Sequence, residues 1–334
     1  MIFEFASAEH IGDRKEQQDR VTLATHPAHP EVLIAVLADG MGGHKGGALA
    51  SQTVIDAVMP MFEAFHPDTG SPHDWLKGMV MAAHERIVKV GRGANRDPRS
   101  TCVIALAQKD RIDWAHCGDS RLYLFRHGQF ERRTEDHSMV EILVKQGEIS
   151  EAEALLHPDR SKLFTSLGGP ELPQIAFGSL DHAEAGDTIL LASDGLWAYF
   201  RNRELAVLTA YRGLTEGCDR LVALARRRAN ANGDNLTVAM LRFSGNTTRK
   251  KLLGGLFNPK PVLPSPLEDS RRFLLAYLAN ATGTGIDAVT RRVEQCEDID
   301  SMRRVITESG ETFASMTSRP KAVSFAERAL DLLA

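Results

Sequence analysis

Short apolar runs separated by turn-forming residues dominate the first two thirds of the chain. Residues 32–38, 188–192 and 236–241 are nearly continuous in Val, Ile, Leu, Ala and Met. Runs of this length, bounded by Gly, Asp and Asn, predict buried strands rather than helices. Residues 3–8, 20–25, 101–107, 112–118 and 121–126 add further predicted strands, the first two flanking a polar turn over Gly12–Asp19. A helix rich in small residues is predicted from Gly47 to Phe65, where Ala48, Ala50, Val54, Ala57 and Val58 permit close packing. Further helices are expected over His73–Gly91 and near 137–146, 150–156, 202–211 and 216–230. Strands and helices come in groups and do not alternate strictly, which favours an α+β fold with antiparallel sheets.

The pattern changes at residue 244. Residues 244–267 combine Ser, Gly and Thr, the basic run Arg249-Lys250-Lys251 and four prolines, a composition suited to a linker. Residues 268–334 show helical periodicity and no strand signal. One apolar stripe holds Phe273, Leu274, Tyr277 and Leu278, and the next Ile286, Val289, Val293 and Cys296. A third holds Ile299, Met302, Val305 and Ile306, and the last Val323, Ala326, Ala329, Leu330 and Leu333. The expected organisation is a mixed domain over 1–243, a linker over 244–267 and a helical extension over 268–334.

Composition narrows the function. The 334 residues are 43% apolar and 25% charged, as in an ordinary globular protein. The net charge is −4, and 27 basic residues face 33 acidic ones before residue 245. That balance argues against nucleic acid or an anionic membrane as the partner. Cys102, Cys117, Cys218 and Cys296 show no CxxC spacing, so they read as reduced thiols in a cytoplasmic setting. No basic-then-apolar leader opens the sequence, and no apolar run approaches the ~20 residues of a membrane span.

The chemistry concentrates in four aspartates beside glycines at strand edges: Asp39 in Asp39-Gly40, Asp119 in Gly118-Asp119, Asp194 in Asp194-Gly195 and Asp234 in Gly233-Asp234. Any one such pair alone reads as a turn. Several carboxylates aimed at one point repel unless a cation lies between them. With oxygen donors and no Cys or His, the expected cation is Mg²⁺ or Mn²⁺ rather than Zn²⁺. Gly40, Gly42, Gly43, Gly46 and Gly47 are not followed by Lys-Ser/Thr, which excludes a P-loop. Asp136-His137 is expected to form a turn and helix cap, and His116, Leu196 and Trp197 to pack in the core.

The order of these elements carries a resemblance. Arg14 and Asp19, Asp39-Gly40-Met41-Gly42-Gly43-His44, Ser100-Thr101, Gly118-Asp119-Ser120-Arg121, Asp136-His137-Ser138, Ser193-Asp194-Gly195-Leu196-Trp197 and Gly233-Asp234-Asn235 follow one another over residues 5–243. The series resembles the bacterial branch of the PP2C-type (PPM) metal-dependent protein serine/threonine phosphatases. The resemblance implies an α-ββ-α sandwich and two Mn²⁺ or Mg²⁺ ions, with a third bound more weakly. It further implies that Asp39 bridges the two ions and the Gly40 carbonyl binds one of them. Asp194 and Asp234 bind the other, Asp19 reaches the cluster through water, and Asp119 shares the third ion with Asp194. Arg14 resembles the arginine that holds the substrate phosphate, a task suited to a planar guanidinium fork. A hydroxide bridging the two ions would attack phosphorus, with no phosphoenzyme.

Two positions depart from the family. Gln18 stands where an acidic residue usually precedes Asp19, so that site loses a charge. Met41, as in most bacterial members, follows Asp-Gly where eukaryotic members carry a His that is a candidate general acid. Leaving-group protonation then falls to a metal-bound water or another group, and His44 lies nearby in sequence. Residues 139–175 correspond in position to the family's flap beside the cleft. The expected substrates are phosphoproteins in a pathway with a cognate serine/threonine kinase. The tail is expected either to form a small bundle packing on the first domain or on itself, or to dock a partner or dimerise. The competing readings are a regulator-specific phosphatase, a catalytically weak or inactive phosphoprotein-binding module acting through the tail, and a nuclease-like phosphohydrolase. The acidic first half opposes the last of these.

Overall fold

In the computed structural model the described residues are 2–41, 46–94, 97–211, 213–229 and 233–244. Beyond them come 286–310, 312–313 and single positions such as Leu274 and Ala329. Gly42, Gly43, His44, the linker segment 245–266 and several tail positions, among them Phe273, Tyr277, Leu278, Val323 and Leu333, lie outside the described residues. The chain divides into two compact units, Met1–Pro261 and Val262–Ala334.

The first unit holds two antiparallel sheets. One has the order β1 (Ile2–His10), β11 (Leu236–Ser244), β10 (Thr188–Ala192), β7 (Arg121–Arg126), β8 (Gln129–Arg133). The other runs β2 (Asp19–Thr25), β3 (Val32–Met41), β5 (Cys102–Gln108), β6 (Arg111–Cys117), β9 (Ala176–Leu180), and the short β4 (Arg99–Ser100) also pairs with β3. Strand β3 shows why the sheets stack. Successive side chains point to opposite faces of a strand. Leu33, Ala35 and Leu37 join Val103, Ala105, Leu122, Leu191 and Leu241 in the core between the sheets. Val32, Ile34, Val36 and Ala38 enter a second core with Val54, Val58, Leu76, Met79 and Ile87. Those residues come from α1 (Gly46–Glu63) and α2 (Pro72–Ala94), which cover that face. Helix α7 (Leu214–Ala229) lies against β1 and β11 on the other sheet. Helices, sheet, sheet and helix make the expected α-ββ-α sandwich.

The connections set the site at one end of the sandwich. Asp19 and Asp39 are register partners across β2 and β3. Asp119 lies in the turn joining β6 to β7, Asp194 follows β10 and Asp234 precedes β11. The segment after β8 carries α3 (Met139–Lys145) and α4 (Glu151–Ala154), then returns through isolated bridges pairing Ser138 with Leu163 and Ser100 with Leu167.

In the second unit, α8 (Ile286–Glu294) and α9 (Ile299–Glu308) gather Leu274, Val289, Val293, Cys296, Met302, Val305, Ile306, Phe313 and Ala329 into one apolar core. Asp298 caps α9 reciprocally with Ser301. The stripes expected for the tail converge in this core wherever they are described.

Candidate active site

Asp39 is fixed from its own backbone outward. Its N–H donates to Thr101 Oγ1 at 3.0 Å, and its carbonyl accepts from Ser100 Oγ at 3.0 Å and from the Thr101 N–H at 2.8 Å. Thr101 Oγ1 in turn shares a 2.7 Å hydrogen bond with Ser120 Oγ. The next residue must be glycine: a Cβ on Gly40 would stand 2.0 Å from the Gly47 carbonyl oxygen and 2.8 Å from that of Gln18. This contact lets the start of α1 close on the strand.

The other carboxylates are built in the same way. Asp19 is buried and accepts from Ser193 Oγ at 2.7 Å. Ser193 Oγ also accepts from the Thr237 N–H at 3.1 Å, tying β2 to β10 and β11. Asp194 opens the single-turn helix α5 (Asp194–Trp197). Asp234 accepts from Arg14 Nη2 at 2.6 Å and from the Asn235 N–H at 2.8 Å. Asn235 spans the site: Oδ1 accepts from the Gln18 N–H at 2.7 Å, and Nδ2 donates to the carbonyls of Ile11 and Glu16. Asp119 is buried in a turn opened by Gly118 at φ +103°, a left-handed value that suits glycine. The Asp119 carbonyl accepts from Trp197 Nε1 at 3.0 Å.

Electrostatics identify the centre. Burial pushes Asp39 well above the usual carboxylate range, and Asp19, Asp194, Asp119 and Asp234 each push it further. Burial also raises Asp19, to about 7, with Asp194 and Asp234 adding to the rise and the hydrogen bond from the Ser193 hydroxyl opposing it. Asp119 is raised well above its ordinary value by burial, then by Asp194 and Asp136. Asp194 is raised by burial and Asp234, against hydrogen bonds to the Gly195 N–H and Asp39. Five carboxylates thus act on one another at the end of the sandwich. Among the described residues, no three His, Cys, Asp or Glu side chains are grouped closely enough, as they stand, to hold a metal ion. The donors are hard oxygens, and mutual repulsion is what a divalent cation would relieve, so the residues fit Mg²⁺ or Mn²⁺.

The sequence model of the protein phosphatase 2C family matches residues 7–225. The chain belongs to this family. It is 32% identical over 235 residues to the protein phosphatase PhpP of Streptococcus pneumoniae, covering 69% of this chain and 93% of that one. The S. agalactiae serine/threonine phosphatase superposes with a TM-score of 0.66 at 28% identity, over 73% of this chain and all of that one. The catalytic domain of the serine/threonine protein phosphatase PstP in complex with two manganese ions superposes with a TM-score of 0.63 at 29% identity, over 72% and 98%. These bacterial relatives of PP2C type are serine/threonine protein phosphatases.

Within the PP2C frame, one expectation is corrected and several residues gain partners. Asp136 caps no helix. Its carboxylate takes two hydrogen bonds from Arg121, at 2.8 and 2.7 Å, and the cap of α3 is Ser138, whose hydroxyl accepts from the Glu141 N–H. A buried cation needs that carboxylate more than an exposed helix end does. Arg121 lies over the Trp197 ring, 3.4 Å from its centroid, so Trp197 is more than core filling. His116 is buried in β6 as expected, stacked on His137 at 4.7 Å. Arg14 is exposed at the rim with Asp234 as counter-ion. Gln18 contributes its backbone, its carbonyl accepting from the Gly40 N–H. Sequence reasoning assigned no positioning role to Thr101, Ser193 or Asn235. Ser193 and Asn235 carry only the local signal of a hydroxyl or amide beside a site aspartate, and Thr101 has no site aspartate next to it in the sequence.

Proposed function

We propose that the chain hydrolyses phosphoserine and phosphothreonine in proteins, opposing a bacterial serine/threonine kinase. The reaction centre is a divalent-metal site held by Asp39, the Gly40 carbonyl, Asp19, Asp194 and Asp234, with Asp119 and Asp194 taking a weaker third ion. The single observation that carries this reading is the position of Asp39, whose carboxyl is raised by all four of the other carboxylates at once. Bound there, Mn²⁺ or Mg²⁺ would polarise the phosphoryl oxygens and lower the pKa of water.

The chain's own groups do the rest. Thr101 and Ser100 lock the Asp39 backbone, and Ser193 orients Asp19. The hydroxyls of Ser100, Thr101, Ser120 and Ser193 are all committed to hydrogen bonds within the site. That supports water, not a side chain, as the nucleophile. Arg14 would turn from Asp234 to the substrate phosphate, pairing two equatorial oxygens as charge develops there. Met41 has no exchangeable proton, so another group or a water must protonate the leaving serine or threonine oxygen.

The buried free thiols of Cys102, Cys117, Cys218 and Cys296 support a cytoplasmic setting. No helix among the described residues is long and apolar enough to cross a membrane. The apolar core of the second unit supports a self-packed helical module as the tail's form. The test is phosphate release from a phosphothreonine peptide by the full chain. Release with Mn²⁺ and none in EDTA supports the reading, and no release with Mn²⁺ or Mg²⁺ refutes it.

A further inference from the structure

A groove of about 550 Å³ opens at the end of β3, the strand that carries Asp39. One wall is the end of β3 and the facing β4, where Met41 and Arg99 are register partners. Met41 stands two residues beyond Asp39. The other wall is the segment after β8, with Met139, Lys162 and Leu163. The lining is thus three apolar side chains, two cations and the two serines Ser161 and Ser166, with Asp97 the acidic member.

Arg99 is placed rather than loose. A Cβ on Gly169 would lie 2.8 Å from Arg99 Nη1, so the guanidinium occupies the space that glycine leaves. Its strand is held by the paired bridge between Ser100 and Leu167. Asp97, its ion-pair partner, is 73% exposed, and Lys162 pairs with Asp159 while itself 68% exposed. Such solvated pairs are weak, so a ligand carboxylate can replace Asp97 or Asp159 at small cost.

A second observation points to a polypeptide ligand. Of the eight large apolar side chains exposed among the described residues, five lie between 139 and 175: Met139, Leu155, Leu156, Phe164 and Leu172. Met139 lines the groove and the other four belong to the same segment, and exposed apolar side chains with a polar rim mark a protein-binding face.

We infer that this groove receives the substrate polypeptide next to its phosphorylated residue, and that it selects an acidic side chain beside an apolar one. The acidic side chain meets Arg99 and Lys162. The apolar one lies on Met41, Met139 and Leu163. This inference rests on the phosphatase reading, because Met41 of the groove wall stands two residues along β3 from Asp39.

Two phosphothreonine peptides test it, one flanked by Glu and Leu and the other by Lys and Ser. Wild-type protein with Mn²⁺ is expected to show kcat/KM about tenfold higher for the first. The Arg99→Glu/Lys162→Glu double variant is expected to bring that ratio to unity or below. A wild-type ratio near one, or a ratio unchanged in the double variant, overturns the inference. Fluorescence anisotropy gives an arm free of turnover. Labelled versions of the two peptides with a non-hydrolysable phosphonate should differ in Kd by a similar factor on wild type, and equal Kd values overturn the groove. Hydrolysis of p-nitrophenyl phosphate by wild type reports the phosphatase reading separately, since that substrate has no flanking residues. A circular dichroism spectrum checks that the double variant is folded.

Discussion

Replacing Asp136 by Ala should be among the most destabilising single changes in the first unit. The Arg121 and Asp136 side chains are 13% and 5% exposed. Their two charge-assisted hydrogen bonds measure 2.8 and 2.7 Å. Without Asp136, Arg121 keeps only the Tyr123 hydroxyl at 3.1 Å and the Trp197 face. Arg133, 3.7 Å from the same carboxylate, then adds repulsion that Glu141 only partly offsets. Stranding one member of a buried pair costs about 3–5 kcal/mol. Against a typical total of about 5–15 kcal/mol, that is a large fraction. Replacing both members with apolar groups, as Arg121→Met/Asp136→Leu, should cost much less than the single change, because no buried charge remains. The three tryptophans, at positions 75, 114 and 197, all lie in the first unit, so urea unfolding followed by their fluorescence reports on it alone. With an m value of about 3 kcal/mol/M, the single variant should lower the midpoint by about 1 M or more. A loss below about 1 kcal/mol, or a double variant less stable than Asp136→Ala, would refute the buried-pair reasoning.

The metal-free protein should lose stability as pH rises. Asp19 titrates near 7 in the folded state, above its ordinary value of 3.8, so the folded state holds the extra proton between those limits. The contribution is complete below pH 4 and is lost as pH climbs through 7. Thermal denaturation in EDTA at stepped pH values should show the decline, and Mn²⁺ should flatten it; a rise over this window would contradict the shift. Gly195→Ala should disturb the site from behind, because a Cβ there would lie 2.1 Å from the Asn235 carbonyl oxygen and 2.9 Å from Asp234 Cβ. We expect about 1–3 kcal/mol of destabilisation and Mn²⁺ affinity lowered at least about tenfold, both readable by calorimetry. Unchanged affinity would show that Asp194 and Asp234 need no fixed spacing.

The strands that place the cluster were legible because they are buried on both faces: β3, β5, β10 and β11 read as unbroken apolar runs. The edges were not. Strand β8, Gln-Phe-Glu-Arg-Arg, is mostly exposed, and β9 is half-buried, so neither carries the apolar run that marks a strand. Helix α5 is one turn and too short for a helical period. Helix α3 begins after Ser138, two residues later than the apolar pattern suggests, because the cap sets the start. The site aspartates could be read from their glycine neighbours and their order along the chain. Their supports could not. Ser193 reaches Asp19 across 174 residues and Asn235 reaches Gln18 across 217. Such contacts exist only once the two sheets have stacked, and no local spacing encodes them.

The most direct measurement pairs Mn²⁺ binding with turnover in wild type and Asp39→Asn. Asp39 is the carboxylate on which the fields of the other four converge. Wild type should bind two Mn²⁺ ions per chain, with a weaker third, and release phosphate from a phosphothreonine peptide. Asp39→Asn should remain folded, lose at least one tightly bound ion and lose phosphate release by a factor of about 10² or more. Full turnover by Asp39→Asn, or two tight ions retained without Asp39, would contradict a metal centre built on that residue.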